Sequence, residues 1–314
     1  MCLVVAAITH RTAPLEVREA AAIPESSARS VLRYLVGHGG MHAAAVLSTC
    51  NRTEFCVTCP DADAADVLAR IAPCLDPVAA AGLTGHAALY QGANAVHHLM
   101  LVASGLDSMV VGESQVLGQF KDAIRIARDA GTLDARLDFV LCRAVSAAKM
   151  VRTETALGRG AGNLAEVAVD RARKQFGSLS GRGVLLLGAG AMSRLAARKL
   201  RTHGATVLVT SRGASRNELA AAVGGRAVVL DQLEAIAPEL DAIICCTRSE
   251  EVVLPARRIQ AMQLAREGRP LCIVDIAVPH DVDPAAGRIQ GVTLIDIDEL
   301  GGNLGSGEVA RQDA

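Results

Sequence analysis

The sequence has few aromatic side chains: they make up 2% of its 314 residues, with no tryptophan and two tyrosines. Proteins that bind single-stranded nucleic acid by stacking its bases need aromatic surfaces, so this composition argues against a stacking platform. The sequence also has no excess of basic residues, because it contains 32 Lys and Arg and 33 Asp and Glu. A bulk polyanion binder usually carries a strongly basic balance. We therefore expect any contact with RNA to be local.

Long apolar runs and a targeting signal are also missing. No run reaches the roughly 20 residues that cross a bilayer, and the only basic residue near the apolar start, Arg11, follows that run, whereas a signal peptide has its charge first. The nine cysteines are an odd number spread from Cys2 to Cys272, unlike a dense secreted disulfide framework. We predict a reduced, cytoplasmic enzyme that contacts no membrane.

Hydrophobic residues make up 51% of the chain, enough to bury the cores of the two domains that its length suggests. The first half mixes short strands (3–8, 44–47, 55–58), a helix with loops (61–92) and a helical stretch (93–152). The second half alternates strands and helices: strands at 183–187, 206–210, 242–246 and 271–276, helices at 164–176, 191–202 and 216–222. Such alternation predicts an α/β fold with a parallel, doubly wound sheet.

A glycine fingerprint follows the strand at 183–187. Glycines at its first and third positions permit a tight turn and let a pyrophosphate approach the N-terminus of the next helix. The strand–fingerprint–helix–strand order favours dinucleotide binding over a plain turn. The candidate cofactor residues are Gly188, Ala189, Gly190, Ala191, Met192 and Ser193.

The end of the second strand selects between the two nicotinamide cofactors. NAD enzymes place an acid there for the ribose 2′-hydroxyl, but this chain has Ser211 and Arg212, with Arg216 close by. These residues suit a 2′-phosphate and favour NADPH. The alternative is that Arg212 is an ordinary exposed arginine.

Cys50 lies in a polar segment between two predicted strands, with Asn51, Arg52 and Glu54 beside it. A thiolate is the reactive form of cysteine, and a nearby cation lowers the pKa of its thiol. Most cysteines are inert core residues, so position alone leaves both interpretations open. Cys56 and Cys59, a C-x-x-C pair without a second pair for zinc, are predicted to be structural.

Three polar residues fall on predicted helices. His98 shares a helix face with apolar Val102, so it is either a core histidine or a buried proton-transfer group. Gln115 and Gln119 lie one turn apart and either bind a polar ligand jointly or form an exposed pair.

Together these segments resemble the glutamyl-tRNA reductase family over roughly residues 4–300. The most specific stretches are L-S-T-C-N-R-T-E at 47–54 and the block V-A-S-G-L-D-S-M-V-V-G-E-S-Q-V-L-G-Q at 102–119. Others are H-R-T-A-P-L-E-V-R-E at 10–19, V-R-T-E-T at 151–155 and V-D-I-A-V-P at 274–279.

The resemblance implies that Cys50 attacks the acyl carbonyl of glutamyl-tRNA and that NADPH then reduces the thioester to glutamate-1-semialdehyde, at the start of tetrapyrrole biosynthesis. It implies a catalytic role for His98 in proton transfer or substrate positioning, and a role for Arg52 as a clamp on the substrate carboxylate. The implied substrate-binding residues are Thr49, Arg52, Ser108, Glu113, Gln115 and Gln119. Glutamate-1-semialdehyde aminomutase is a candidate partner, and no metal is expected.

Two domains follow: an N-terminal catalytic domain at 1–157 and a Rossmann-type NADPH-binding domain at 158–300, with a polar tail at 301–314. We expect closure between them to bring Cys50 and the cofactor together. Ser193 stands where the family has Gly, His280 where Arg is common, and 162–166 differs from the usual junction. The long helix and dimerisation domain of the family have no counterpart before residue 314, which predicts a monomer or a weaker dimer.

Three alternatives remain. A shorter paralogue would reduce another aminoacyl or peptidyl ester on tRNA, or an acyl thioester. A catalytically inactive regulatory protein that binds NADPH would not need Cys50. The presence of Cys50, Arg52 and His98 in this chain counts against that alternative. A carbonyl dehydrogenase of the shikimate dehydrogenase type would share the nucleotide domain, but it needs a catalytic Lys–Asp pair, and none is apparent in this sequence.

Overall fold

The computed structural model describes residues 2–60, 64–155, 157, 163–247 and 249–302. These residues fall into two compact units that divide near residue 162. The predicted junction at 158–162 and the predicted tail from residue 303 lie outside the described residues. No helix of the described part is long and apolar enough to cross a membrane.

Unit 1 is a four-stranded antiparallel sheet covered by helices, with strand order β2-β3-β1-β4. Its strands are β1 (Cys2–Thr9), β2 (Ala43–Ser48), β3 (Arg52–Cys59) and β4 (Ala87–Gln91). Its helices are α1 (Leu15–Ala20), α2 (Glu25–Gly37), α3 (Ala64–Ile71), α4 (Pro77–His86), α5 (Gly92–Ser104), α6 (Ser114–Ala130) and α7 (Ala135–Glu154).

Burial explains why these segments fold as they do. Every residue of β1 from Leu3 to Thr9 is buried, as expected for a central strand with apolar side chains on both faces. Leu99, Val102 and Ala103 of α5 enter the same core as Phe120 and Ile124 of α6. The core of unit 1 thus lies between the sheet and these helices.

Two expectations for unit 1 are corrected. The stretch 61–92 contains a strand, β4, which pairs only with β1 and is half-exposed. An Ala-rich edge strand of this kind has too little apolar alternation to be predicted. Second, β3 begins at Arg52, earlier than expected, and includes Thr53 and Glu54. Polar residues fit inside a buried strand here because Arg52 and Glu54 neutralise each other.

Unit 2 confirms the predicted α/β class. Its six strands are all parallel, in the order β10-β9-β8-β5-β6-β7. They are β5 (Gly183–Leu187), β6 (Thr206–Thr210), β7 (Arg226–Ala227), β8 (Ala242–Cys245), β9 (Leu271–Asp275) and β10 (Val292–Ile295). The helices are α8 (Leu164–Phe176), α9 (Ala191–Thr202), α10 (Ser215–Val223), α11 (Leu233–Ile236), α12 (Ala256–Ala265) and α13 (Ile297–Gly302).

The strand order of this sheet puts the fingerprint at its switch point. From β5 the chain first adds strands on one side (β6, β7) and then on the other side (β8, β9, β10), so the direction of strand addition reverses at β5. Ligands of doubly wound sheets bind beyond the carboxyl ends of the strands at such a switch point. Gly188 and the following residues begin where β5 ends.

Candidate functional site

Cys50 lies at the tip of the hairpin that joins β2 to β3. Ser48 pairs with Thr53 across the base of this turn, the Thr49 amide donates to the Arg52 carbonyl at 2.8 Å, and the Asn51 amide donates to Thr49 Oγ1 at 3.2 Å. The predicted substrate residue Thr49 therefore uses its hydroxyl to shape the turn. Cys50 is half-buried and forms no disulfide.

The electrostatics of Cys50 differ from the sequence-based expectation. Burial, reinforced by the Glu113 carboxylate, raises the pKa of the Cys50 thiol to about 12, although Arg18 and Arg52 act in the opposite direction. We expected a neighbouring cation to lower this pKa. The cations do lower it, but the net pKa is raised because burial disfavours the charged thiolate by more than the cations favour it.

Arg52 is at the centre of a buried ion-pair network. Its side chain is 2% exposed, and Nη1 lies 2.7 Å from Glu54 Oε1 and 2.9 Å from Asp107 Oδ2. Nη2 also donates to the Asp107 carbonyl, and Arg11 pairs with Asp107 at 3.0 Å. Arg52 thus already has protein partners in this structure, so a substrate carboxylate would share the guanidinium with them.

His98 is buried on α5, as its apolar surroundings predicted, and contacts two groups. Nε2 lies 3.1 Å from Glu54 Oε1, and the ring stacks on Tyr90, with ring centres 3.9 Å apart. Burial alone would raise the pKa of Glu54, but Arg52 and the hydrogen bond from His98 hold that pKa below its ordinary value. Glu54 is therefore ionised and accepts from Nε2–H, which leaves Nδ1 as the ring nitrogen that can take a proton.

Several polar atoms of unit 1 are buried and have no hydrogen-bond partner among the residues that the structure describes. Buried polar atoms are nearly always paired, so each unpaired atom needs an explanation, and a bound polar ligand is one. Most of these atoms belong to residues in or beside the Cys50 hairpin and the loop that ends at α6. They include His10 Nδ1, Asn51 Oδ1, Glu54 Oε2, Ser108 Oγ and Gln115 Nε2.

The loop between α5 and α6 carries further predicted substrate residues. Ser108 and Glu113 are buried, and burial raises the pKa of Glu113 to about 7. Arg152 on α7 holds this loop, because its guanidinium donates to the carbonyls of Glu113 at 2.7 Å, Ser104 at 3.2 Å and Gly112 at 3.4 Å. Gln115 and Gln119 are both half-buried on the first turns of α6.

Four residues of this region were not predicted as site residues. His10 donates its amide to the Asn51 carbonyl at 2.9 Å, and burial together with Arg52 lowers the pKa of its ring to about 4. Arg18 donates to the Cys50 carbonyl at 3.1 Å. Asp107 and Tyr90 complete the set. The stretches 10–19 and 102–119 contain three of them, but no local pattern indicated which side chains would contact the Cys50 hairpin or His98.

In unit 2 the fingerprint forms the turn between β5 and α9. Gly188 has φ +116°, and a Cβ there would lie 3.0 Å from the Cys246 carbonyl oxygen. A Cβ on Gly190 would meet nothing within 4 Å, so this position is open to a ligand. Gly190 is the N-cap of α9 and offers no side-chain cap. The first amides of α9 are therefore available to an anion.

The side chains after Gly190 divide between surface and core. Ala191 is exposed, Ala189 and Met192 are half-exposed, and Ser193 is fully buried. Ser193 Oγ lies 3.1 Å from Cys246 Sγ. The hydroxyl of Ser193 thus contacts the segment directly after β8, and the role of this residue in cofactor binding stays a prediction.

The predicted 2′-phosphate residues lie together in the turn after β6. Arg216 Nη1 donates to the carbonyls of Ser211 at 3.0 Å and Gly213 at 2.9 Å, and Ser211 Oγ lies 3.2 Å from Ser215 Oγ. Arg212 is exposed. Arg216 therefore shapes the turn, while Arg212 presents its charge at the surface.

One group of potential metal ligands occurs among the described residues. A sulfur of Cys245 and carboxylate oxygens of Asp275 and Asp281 lie within 4.8 Å of one another. Asp275 accepts from the amides of Ala277 and Val282, and Asp281 accepts from the amide and hydroxyl of Thr247. These bonds already use the carboxylates to hold the ends of β8 and β9.

Known proteins match both units. Residues 6–155 match the family model described as "Glutamyl-tRNAGlu reductase, N-terminal domain", and residues 170–302 match that of "Shikimate / quinate 5-dehydrogenase". A glutamyl-tRNA reductase of Desulforudis audaxviator is 42% identical over 304 residues, covering 96% of this chain and 68% of the relative. One of Kineococcus radiotolerans is 41% identical over 318 residues, covering 99% and 71%.

Among solved structures, the glutamyl-tRNA reductase of Methanopyrus kandleri aligns over 99% of this chain and 75% of its own, with 31% identity and a TM-score of 0.49. The described chain thus has similar proteins over both of its units.

Proposed function

This chain belongs to the glutamyl-tRNA reductase family, an oxidoreductase family that uses NADPH, and from that premise we propose that it reduces glutamyl-tRNA to glutamate-1-semialdehyde through a thioester on Cys50. The family resemblance seen in the sequence is confirmed. The reaction and its thioester are the proposal. They rest on the residues of the Cys50 region and the Gly188 region.

The observation that carries the proposal is a set of buried polar atoms, in the Cys50 hairpin and around the start of α6, that have no hydrogen-bond partner among the described residues. Asn51 Oδ1, Ser108 Oγ and Gln115 Nε2 belong to segments that the predicted substrate residues share. Leaving such atoms without partners costs about 1–3 kcal/mol each. A glutamyl group brings an ammonium, a carboxylate and a carbonyl, which supply the missing donors and acceptors.

In the first step the Cys50 sulfur attacks the ester carbonyl. A C–S bond forms, the C–O bond to the terminal ribose of the tRNA breaks, and the proton of the thiol goes to the departing ribose oxygen. His98 Nδ1 is suited to carry that proton, since Nε2 is held by Glu54. The raised pKa of Cys50 means that the thiol carries its proton in the free protein, so this proton has to leave as the C–S bond forms.

In the second step the thioester carbon is reduced to the aldehyde and its C–S bond breaks, which returns the Cys50 thiolate. A thioester accepts hydride more readily than an ester, which explains why the reaction has two stages. NADPH supplies the hydride when bound. Gly188, Gly190 and the first amides of α9 would hold its pyrophosphate, and Ser211 and Arg212 its 2′-phosphate.

The open position at Gly190 and the uncapped start of α9 support this cofactor assignment. The aldehyde product is reactive, so we also propose that glutamate-1-semialdehyde aminomutase receives it directly.

A single-turnover assay with glutamyl-tRNA and NADPH tests the proposal. We expect the wild-type protein to oxidise NADPH and release a trappable aldehyde, and Cys50→Ser to lose both by at least about 10³-fold, because the nucleophile is gone. Cys142→Ser, a half-exposed cysteine on α7, is the matched control and should keep full turnover.

Mass spectrometry of the wild-type reaction separates the failures. An acyl adduct on Cys50 without NADPH oxidation would contradict the proposed reduction step and support the proposed thioester. No adduct at all would reject glutamyl-tRNA as the acyl donor, and other charged tRNAs and acyl thioesters would then be tested.

A further inference from the structure

We infer that Arg18 is the positioning residue of Cys50: it fixes the Cys50 backbone by a hydrogen bond and places the charge that the sulfur needs when it becomes anionic. This inference rests on the proposed role of Cys50 as the nucleophile. The sequence pointed to Arg52 for this task, and the structure assigns it to a residue 32 positions away from Cys50.

The first argument is geometric. Arg18 lies on α1 and is 3% exposed, and its Nη1 donates to the Cys50 carbonyl at 3.1 Å. Cys50 stands at a hairpin tip, where the strands on either side do not hold its carbonyl. A buried guanidinium is rigid and keeps its charge at any physiological pH. Arg18 therefore connects α1 to the tip of the hairpin.

The second argument concerns the charge at the thiol. Arg52 pairs with Glu54 and Asp107. Arg18 is the larger of the two cationic influences that lower the pKa of Cys50, and Arg52 is the smaller. The charged groups that act on the pKa of the Cys50 thiol are thus Arg18 on α1, Arg52 on β3 and Glu113 just before α6.

The test measures the thiol directly, without tRNA or NADPH. Iodoacetamide labelling of Cys50 is followed at pH 8 by peptide mass spectrometry in wild-type, Arg18→Gln, Arg18→Lys and Arg11→Gln proteins. Cys142 in the same digest serves as the internal reference. Arg11→Gln is the matched control, since Arg11 is a nearby cation that pairs with Asp107 and not with Cys50.

We expect Arg18→Gln to slow Cys50 labelling about threefold to tenfold, because thiolate fraction falls tenfold per unit of pKa and higher nucleophilicity offsets part of the loss. Arg18→Lys keeps the charge and should stay within about twofold of wild type. Arg11→Gln should match wild type. If Arg18→Gln does not fold, the neutral Arg18→Met replaces it in the comparison.

Equal slowing by Gln and Lys would show a packing role and overturn the inference, as would a Gln variant that labels as fast as wild type. Either result leaves the proposed function standing if the wild-type protein still reduces glutamyl-tRNA. Conversely, the expected labelling difference between wild type and Arg18→Gln, together with no acyl adduct on the wild-type protein, would contradict the proposed function and leave the inference about Arg18 standing.

Discussion

The Cys50 region and the Gly188 region use different parts of the chain to meet a polar ligand. Around Cys50 the contacts come from charged side chains that are almost fully buried, such as Arg52 and Glu54 at 2% and 0% exposure. Around Gly188 they come from the backbone, since Gly190 is open and α9 begins without a side-chain cap. The first region should therefore be sensitive to lost charge, and the second to added carbon.

The largest expected effect is the loss of charge at Glu54. Glu54→Gln leaves the buried Arg52 with Asp107 as its remaining carboxylate, and breaking a buried ion pair costs about 3–5 kcal/mol. Urea denaturation should show this loss. The control, Asp129→Asn, removes exposed ion pairs with Arg29 at 3.5 Å and Arg125 at 3.7 Å and should change stability by less than about 1 kcal/mol. Equal effects of the two variants would contradict the claim that unit 1 depends on buried charge.

Glu113 should make stability depend on pH. Burial raises its pKa from 4.5 to about 7, so the folded protein holds a proton that the unfolded chain releases near pH 4.5. The stabilisation is complete below pH 4.5 and is lost as the pH rises through 7, by about 3 kcal/mol.

Glu113→Gln should flatten this part of the profile, measured by urea denaturation between pH 4 and pH 8. Asp129→Asn, which changes an exposed carboxylate, should leave the profile unchanged. A Glu113→Gln profile that falls as steeply as that of wild type would place the titrating group elsewhere.

In unit 2, adding one methyl group at a fingerprint glycine should be enough to weaken the binding of NADPH. Gly188→Ala would hold an alanine at φ +116° with its Cβ 3.0 Å from the Cys246 carbonyl oxygen, which costs about 2 kcal/mol in strain or displacement. We expect NADPH to bind about thirtyfold more weakly by titration calorimetry. Gly190→Ala, where the added carbon meets no protein atom, separates the two causes: it should weaken NADPH while leaving the protein as stable as wild type.

The smallest expected effect is at Arg212. Arg212→Gln removes one exposed charge beside the 2′-phosphate position, so NADPH should bind about fivefold more weakly, equivalent to about 1 kcal/mol, while NADH binds as before. Arg201→Gln, an exposed arginine on α9, is the control. An equal loss of NADPH and NADH affinity would contradict the assignment of Arg212 to the 2′-phosphate.

The sequence predicted unit 2 more closely than unit 1 for a physical reason. The strand at 183–187 and the helices at 164–176 and 191–202 have the predicted bounds. Buried parallel strands are continuous apolar runs, which a local pattern identifies, and the glycines of the fingerprint mark the turn directly after the strand. In unit 1 the positions of Cys50 and His98 were predicted, but the network that links Arg52, Glu54 and Asp107 joins β3 to a loop 55 residues away. Such pairing depends on tertiary contacts that no local pattern encodes.

The stacking of Tyr90 on His98 has a spectroscopic consequence. The chain has no tryptophan and only two tyrosines. Tyr34 of α2 stacks on His38, the residue after that helix, and Tyr90 lies against the candidate proton-transfer group. Intrinsic fluorescence therefore comes from two residues, and Tyr34→Phe leaves one emitter, beside His98. The emission of that variant would report ligand entry beside His98 without any added label.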